Sequence, residues 1–231
     1  MNAQEVMAIL IFVSACMLIG VIIAVSVFRE KKRQLLLQQW AQARGWAYYR
    51  ENDEALAKQC ADFRCLRQKD RQQCYNRIIG EFGGRPFLTF DYLTRGNGKK
   101  KRIHRYSVVL MHSGLPLESL LIHPQNFLYD IAQKIGSKDI DFSSHEFNRK
   151  FVVKAENEQW AQQVIHDTVI QMLLKDPIYS VEFNQSNVLV CKSGNSAPEE
   201  YESALELAKS MIDLLPEPVL RQLQSQLNPT A

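Results

Sequence analysis

The sequence predicts an α+β protein: an N-terminal single transmembrane helix, then a mainly antiparallel sheet with at least two packed amphipathic helices. Three observations support this fold class. The chain begins with a long uncharged apolar run, a Gly-Gly pair at 83–84 separates two alternating apolar segments, and two helical apolar patterns follow in the second half. Alternation with a period of two is typical of strands, and spacing near 3.6 is typical of amphipathic helices. This order favours helices packed on an antiparallel sheet.

The apolar run begins at Val6, ends at Phe28 and contains 23 residues without a charge. As a helix it would be roughly 34 Å long, enough to cross a hydrocarbon core of about 30 Å. A cleaved signal normally has a basic start and a shorter apolar region, whereas the first five residues here contain no Lys or Arg. Lipidation at Cys16 would leave an apolar run at the start of the mature chain. The sequence therefore predicts an integral, single-pass membrane span.

The charges beside the span predict which side of the membrane each end occupies. Arg29, Lys31, Lys32 and Arg33 follow the span directly, whereas the N-terminal tail carries only Glu5. Basic residues beside a span favour the cytoplasmic side. We therefore expect the N-terminus outside and the C-terminal domain in the cytoplasm, where its four cysteines stay thiols.

Positive charge is concentrated in two short segments. Residues 29–33 carry +3 and residues 95–105 carry +6, so the rest of the chain sums to −6 although the protein's net charge is +3. The basicity is local and gives no argument for nucleic-acid binding. With 46% hydrophobic and 23% charged residues, the chain has the composition of a folded protein rather than a disordered tail.

We divide the chain into residues 1–33 (tail, span and basic stop segment), 34–75 (helical neck and connector) and 76–231 (cytosolic α+β domain). In the second part we expect the helix to continue to Gly45, then a strand at 46–49, a helix near 52–63 and an irregular segment at 64–73. In the third part we expect strands at 74–82, 85–94, 102–112, 116–124 and 148–155, helices at 126–136 and 157–174, and a hairpin of 178–184 with 188–192. Ser196 and Glu199 form a capping box for the last helix, which ends at Pro216.

The segment between the third and fourth predicted strands is strongly basic, with no acid among Arg95, Lys99, Lys100, Lys101, Arg102 and Arg105. One interpretation is contact with anionic lipid headgroups or an acidic protein partner, because each Lys or Arg near an anionic surface contributes about 1 kcal/mol. The other is a solvated hairpin end whose charges prevent edge-to-edge aggregation. A nucleic-acid surface would carry stacking aromatic residues among its charges, and this segment has no Phe, Tyr or Trp.

Small residues lie four apart within the span, at Cys16, Gly20 and Ala24. Such a stripe lets a second helix approach closely, and it would support a homo-oligomer. The same spacing also occurs by chance in apolar helices. Both interpretations stay open at this point.

No pattern in the sequence indicates catalysis, a metal or a cofactor. Cys60, Cys65 and Cys74 are five and nine residues apart, whereas structural zinc sites usually contain a close pair of cysteines. The segment at His145 lacks the second His of the zinc-protease motif. An enzyme would need a site assembled from distant residues, of which the first candidates are Asp91, Arg105, His123 and Arg149.

Two segments, 80–92 (GEFGGRPFLTFDY) and 139–174 (DIDFSSHEFNRKFVVKAENEQWAQQVIHDTVIQMLL), precede a predicted hairpin and a terminal helix ending near LLPE at 214–217. Together they resemble a family of bacterial membrane-anchored proteins known only as a domain of unknown function. The resemblance covers about residues 35 to 216 and is most specific at 147–174. It implies a bacterial inner-membrane protein with a cytosolic α+β domain, and it brings no activity, cofactor or catalytic residue.

Three functional hypotheses follow. The leading one is a membrane-tethered, non-catalytic cytosolic domain that binds a protein partner or the inner-leaflet surface. The second is a membrane-bound enzyme with an unrecognised site, and the third is an oligomerising structural subunit of a membrane complex.

Overall fold

The computed structural model describes residues 3–60, 62–66, 70–95, 103–125, 139–175 and 178–227. The predicted fold class is confirmed: the described residues form a long N-terminal helix, six antiparallel strands in one sheet, and several shorter helices. The helices are α1 Ala3–Ala43, α2 Glu54–Cys60, α3 His145–Lys150, α4 Glu158–Val164, α5 Asp167–Leu173, α6 Pro198–Asp213 and α7 Glu217–Leu227, with a 3-10 helix at Arg64–Leu66. The strands are β1 Ala47–Tyr49, β2 Asp70–Phe82, β3 Arg85–Arg95, β4 Ile103–Pro124, β5 Phe151–Ala155 and β6 Ser180–Ser193.

The N-terminal helix α1 has two different surroundings along its length. The stretch Phe12–Ala43 is long and apolar enough to cross a membrane, and its most apolar part is not buried in the fold. Beyond Phe28 the same helix continues to Ala43, as predicted. There Leu37, Trp40 and Ala41 are buried in the main core. Residues 34–75 and 76–231 therefore contribute to the same core.

The sheet has the strand order β1-β2-β3-β4-β5, and β6 pairs with the other edge of β4. The predicted turn between β2 and β3 is present, with Gly83 and Gly84 at φ 57° and 78°. Polar residues at 70–73 were expected to be irregular, but residues from Asp70 onward belong to β2. Pairing with β3 places Asp70 opposite Arg95, and such pairing overrides the weak strand propensity of a polar segment.

Two predicted strand breaks are wrong. The segment expected to hold two strands is one 22-residue strand, β4, which bends rather than ends because Gly114 adopts φ 73° and the register shifts between His112 and Leu117. The predicted hairpin at 185–187 is instead a bend at Gln185, φ 53°. Strand β6 continues through it because the bent edge of β4 offers partners on both sides.

The helix predicted over 157–174 is two helices. The chain leaves helical geometry at Ile165 (φ −95°, ψ 66°), and the His166 ring nitrogen Nε2 lies 3.0 Å from the carbonyl oxygen of Leu214. The predicted strand at 148–155 begins only at Phe151, since the preceding residues form α3, which Ser144 caps. The cap of α6 lies one residue later than predicted: the Ala197 N–H donates to Glu200 at 2.9 Å. Helix α7 was missed, and the helix predicted at 126–136 lies outside the described residues.

The sheet carries a hydrophobic core on each face. The C-terminal part of α1 and the helices α4 to α7 cover the first face, where the larger core includes Met111, Trp160 and Phe183. The 3-10 helix and α2 cover the second face, where a smaller core includes Phe90 and Tyr92.

Candidate functional site at the base of the N-terminal helix

The most unusual feature of the first face is a buried carboxylate beside α1. Asp91 is fully buried in β3, and burying a charge is costly unless it is paired and hydrogen-bonded. Arg33 of α1 supplies the pair: its Nη1 donates to Asp91 Oδ1 at 3.3 Å, and its Nη2 donates to Asp91 Oδ2. The ion pair is bidentate, a geometry that suits the planar guanidinium group. It joins the helix that carries the apolar run to the middle of the sheet.

Two further donors complete the coordination of Asp91. The Tyr201 hydroxyl of α6 donates to Oδ1 at 2.8 Å, and the Asn76 side-chain amide of β2 donates to Oδ2 at 2.7 Å. Arg33 also donates to the carbonyl oxygen of Ser196 at 3.1 Å, just before α6. The carboxylate thus joins α1, β2, β3 and α6. We call Glu30, Arg33, Asn76, Asp91 and Tyr201 the junction network.

Asn76 reaches Asp91 because its backbone is left-handed, at φ 51°. This conformation is uncommon outside glycine and is best tolerated by Asn and Asp. It lies where the β2–β3 register shifts between Tyr75 and Ile78. The Tyr48 hydroxyl donates to Asn76 Oδ1 at 2.9 Å, and the Asn76 N–H donates to the Arg50 carbonyl at 3.3 Å. The amide is therefore held from several sides with its NH2 group toward the carboxylate.

The second acid, Glu30, lies one turn before Arg33 and is partly exposed. It accepts hydrogen bonds from Arg33 at 2.9 Å, from Gln34 at 3.2 Å and from Asn195 at 3.2 Å. Burial and the nearby Asp91 charge raise the pKa of the Tyr201 phenol well above its ordinary value, so this hydroxyl stays protonated and remains a donor. The network is well supplied with donors and positions α1 on the sheet.

The contacts of α1 fix its direction relative to the sheet. Arg33 contacts Asp91. About two helical turns later, Trp40 packs against Trp46, which packs against Phe87 at 4.8 Å between ring centres. From Arg33 to Trp40 the helix moves toward its C-terminus, whereas from Asp91 to Phe87 the strand moves back toward its N-terminus. Helix α1 and strand β3 are therefore antiparallel. Following β3 toward its C-terminus leads in the same direction as following α1 toward the apolar run.

We call the end of the β3–β4 pair formed by Leu93, Arg95, Ile103 and Arg105 the span-side end of the sheet. Leu93 pairs with Arg105 and Arg95 pairs with Ile103 in the strand register. Of the predicted basic surface, Arg95 and Arg105 lie at this end and are exposed. Lys99, Lys100, Lys101 and Arg102 lie outside the described residues.

The basic residues predicted to set the topology divide into two kinds. Arg29, Lys31 and Lys32 are exposed on α1. Arg33 instead points into the fold, with 13% of its side chain exposed. Cys16, Gly20 and Ala24 are exposed on α1. Apart from its chain neighbours and the backbone of its own helix, nothing in the described residues lies within 4 Å of the position a Gly20 Cβ would occupy. The predicted role of this stripe stays a prediction.

The residues proposed for an enzymatic site do not all converge. Arg105 pairs with Leu93, two residues beyond Asp91 on the same face of the sheet, but the other two residues lie elsewhere. Asp91 belongs to the first face, where α1 and α6 contact it. His123 belongs to the second face, because it follows Leu121 of the second core by two residues along β4, and its Nδ1 lies 2.8 Å from the Ser180 hydroxyl. Arg149 is exposed on α3. Among the described residues, no group of three or more His, Cys, Asp or Glu side chains is arranged to hold a metal ion.

The cysteines gather on the second face, which their sequence spacing did not predict. Cys60, Cys65, Cys74 and Cys191 are free thiols buried in the smaller core. A hydrogen bond with Cys60, together with burial, raises the pKa of the Cys74 thiol. Burial, together with a hydrogen bond to Cys191, raises the pKa of the Cys65 thiol. Thiolates are the reactive form of cysteine, so these groups are part of the core rather than a reactive site.

Sequence reasoning missed the role of Arg33, which it counted only among the charges beside the span. One signal was available, since Asp91 lies in the alternating strand FLTFDYLT at a position where a lone carboxylate would need a cationic partner. The partner lies 58 positions earlier in the chain, and nothing in local spacing identifies it.

No family model matches the sequence, and no curated protein matches it. Among solved structures, the fold is similar to the crystal structure of the mycobacterial trehalose monomycolate transport factor A, TtfA, with a TM-score of 0.57 and 14% sequence identity. The similarity covers 79% of this chain and 94% of that chain. At this identity the likeness establishes the fold alone. The resemblance to a family of unknown function stays a prediction.

Proposed function

We propose that this protein is a membrane-tethered, non-catalytic cytosolic domain that binds a protein partner of the same membrane. The observation that carries the proposal is the ion pair between Arg33 and Asp91. It makes one helix serve both as the anchor and as a structural part of the domain. A tether meant only to keep a domain near the membrane needs no such contact, since a flexible linker would suffice.

The junction network supports a fixed presentation of the domain. Leu37, Trp40 and Ala41 of α1 are buried in the main core, and Arg33 is bonded to two other elements. The domain is therefore held on α1 itself, and its orientation relative to the apolar run is fixed by these contacts. This arrangement lowers the orientational cost of meeting a partner fixed in the same bilayer.

We also propose that the C-terminal domain lies in the cytoplasm and that the membrane is a bacterial inner membrane. The exposed Arg29, Lys31 and Lys32 beside the apolar run support this orientation. Reporter fusions at the C-terminus, downstream of all described elements, should behave as cytoplasmic. Activity of a reporter that works only outside the cytoplasm would reverse the proposed topology.

The structural neighbour suggests the kind of membrane assembly in which a partner could be found. That neighbour is a trehalose monomycolate transport factor, which is a property of that protein. A similar fold with an N-terminal apolar helix here is compatible with an accessory role beside a membrane transport assembly. The chain's own residues support the binding of a partner and do not identify what is transported.

The first experiment is purification of the full-length protein from native membranes in mild detergent, with mass spectrometry of accompanying proteins. A matched variant replaces residues 6–28 with an unrelated apolar span of equal length and keeps residues 29–231. We expect a stoichiometric companion that both proteins retain. Its loss from the span variant would place the contact in the membrane and favour the oligomerising or structural-subunit hypothesis.

If the full-length protein is recovered without a companion under these conditions, the proposal of a protein partner is wrong. The alternative of a membrane-bound enzyme would then be tested first at Ser180 and His123. Their 2.8 Å contact joins a hydroxyl to an imidazole, the groups that can act as nucleophile and base. A change in cellular phenotype on Ser180→Ala with unchanged stability would support that alternative.

A further inference from the structure

The span-side end of the sheet lies close to the depth at which α1 leaves the bilayer. The Gly194 N–H donates to the carbonyl oxygen of Arg105 at 2.8 Å, and the next residue, Asn195, donates to Glu30 at 3.2 Å. Arg105 is thus beside Glu30. Phe28, the last residue of the apolar run, precedes Glu30 by two positions, which is about 3 Å along the helix axis.

The strand pair then continues past Arg105 toward the bilayer. From the Leu93–Arg105 pair to the Arg95–Ile103 pair is two residues along each strand, or about 7 Å. Because α1 and β3 run in opposite directions, this extension points along the apolar run. Arg95 is exposed, and Ile103 is an exposed large hydrophobic residue at 46%. By these distances the Arg95–Ile103 pair lies about 4 Å past Phe28 along the helix axis, at the boundary between the hydrocarbon core and the lipid headgroups. The Ile103 side chain suits the apolar side of that boundary, and the long Arg95 side chain reaches the headgroups from there.

We propose that the span-side end of the sheet binds the anionic lipid headgroups of the membrane that holds α1. The inference rests on the proposed tethering and names the surface that the fixed orientation serves. The phosphate groups are contacted by exposed side chains from α1 and from the β3–β4 pair: Arg29, Lys31, Lys32, Arg95 and Arg105.

The local charge balance agrees with an anionic surface. Glu30 is engaged by Arg33 and Asn195, and Asp70 is in register with Arg95. These acids are outnumbered by the five exposed basic residues. The basic groups come from α1 itself and from the strands β3 and β4 beside its exit, so a flat anionic surface can meet all of them at once. An acidic protein would have to pass around α1 to do the same.

The junction network reduces the conformational entropy that is lost when this surface binds lipid. Arg33 and Asp91 hold α1 on the sheet, and the depth of the span-side end is therefore set before any lipid binds. A surface whose position is fixed in advance loses little conformational freedom on binding. Electrostatic attraction to anionic lipid falls off within a Debye length of about 8 Å. Measured along the helix axis, the Arg105 and Arg95 positions lie about 3 Å and 4 Å from Phe28, which is within that length.

The test uses the full-length protein in vesicles of phosphatidylcholine alone and of phosphatidylcholine with phosphatidylglycerol, followed by amide hydrogen exchange of Leu93–Arg95 and Ile103–Arg105. The variant Arg95→Gln/Arg105→Gln removes two positive charges at this end. The control Lys175→Gln/Lys209→Gln removes one exposed and one half-exposed charge elsewhere on the domain. Lys209 lies over Gly83 in the β2–β3 turn, at the opposite end of the sheet.

We expect exchange at the span-side end to be several-fold slower in the anionic vesicles, and the difference to vanish in high salt and in Arg95→Gln/Arg105→Gln. The control variant should keep it. Equal exchange in the two vesicles, or an anionic effect that survives Arg95→Gln/Arg105→Gln, overturns the proposal. Protection seen only with native membrane proteins present would assign the surface to an acidic protein instead. Failure of the co-purification experiment alone overturns the protein partner and leaves the lipid contact standing.

Discussion

Arg33 and Asp91 form a buried ion pair that joins the anchor helix to the third strand, with 13% and 1% of their side chains exposed. The pair is shared with Tyr201 and Asn76, so that the carboxylate has donors from three elements. A buried pair of this kind contributes little net stability compared with well-packed apolar residues. Its effect is on where α1 lies, because an apolar helix end alone could slide along the sheet.

Removing one member of the pair should lower the free energy of unfolding far more than replacing both members with apolar residues. Arg33→Ala leaves the Asp91 carboxylate buried without its cation, which we expect to cost about 3–5 kcal/mol of unfolding free energy. The double variant Arg33→Met/Asp91→Leu leaves no buried charge and should cost less than Arg33→Ala. The measurement is denaturant unfolding of the full chain in detergent, followed by circular dichroism.

The exposed neighbour Lys32 gives the matched control, since Lys32→Ala removes a charge at the same helix level and should change stability by less than about 0.5 kcal/mol. If Arg33→Ala and Lys32→Ala are equally mild, Arg33 is not engaged with Asp91 in solution. The junction network would then not fix the orientation of the domain.

Gly80 of β2 lies directly under the indole ring of Trp46. A Cβ at this position would be 2.6 Å from Trp46 Cγ and 2.8 Å from Nε1, and the ring is itself held by a hydrogen bond to the Glu81 carbonyl at 3.2 Å. Gly80→Ala should therefore displace the ring and destabilise the fold by about 1–3 kcal/mol. The measurement is the unfolding free energy of the full chain.

A double-variant cycle separates this clash from any backbone effect. In the Trp46→Leu background the smaller side chain leaves room for the methyl group, and Gly80→Ala should cost clearly less there. An equal cost in both backgrounds would mean that the ring is not the obstacle.

The parts of the fold that could be predicted are those set by local pattern. The apolar run, the β2–β3 turn at Gly83 and Gly84, and the buried face of α6 each follow from the pattern of neighbouring residues in the sequence. The parts that were wrong depend on distant partners. Strand β4 continues past Gly114 because β6 follows its edge, and α4 ends at Ile165 beside a contact between His166 and Leu214. No local pattern contains either partner.

The candidate site was beyond prediction for the same reason. Exposed charges such as Arg29 and Lys31 are identifiable from their place beside an apolar run. Arg33 has the same neighbours in the sequence, but its direction on the helix turns it toward Asp91. That direction is decided by the burial of Leu37 and Trp40 one and two turns later, and only the sheet position opposite them makes Asp91 the partner.

The cysteine cluster of the second face makes a prediction about thiol reactivity. In the variant Cys16→Ser, the four remaining thiols are buried in the smaller core, and burial and mutual hydrogen bonding raise the pKa values of Cys65 and Cys74. A thiol-reactive disulfide reagent should therefore react with none of them in the folded protein and with all four in denaturant. The released thiolate is measured by absorbance. Fast reaction of two or more thiols without denaturant would show that α2 opens from the sheet.

Deprotonation of the Tyr179 phenol should lower the free energy of unfolding at alkaline pH. Burial, with the nearby Glu200 charge, raises the pKa of its phenol from 10.0 to about 12, and the hydroxyl donates to the Glu200 carbonyl oxygen at 3.0 Å. The folded state holds this proton more tightly than the unfolded state. Its contribution is therefore complete below pH 10 and is lost as the pH rises through 12.

The difference in unfolding free energy between the natural protein and Tyr179→Phe isolates this contribution, because other tyrosines titrate alike in both proteins. We expect the difference to be constant below pH 10 and to fall by about 2–3 kcal/mol by pH 12. The measurement is denaturant unfolding of the full chain in detergent at a series of pH values. If this difference in unfolding free energy does not change with pH, the phenol is as accessible in the folded chain as in the unfolded one. The segment before β6 then does not pack against α6.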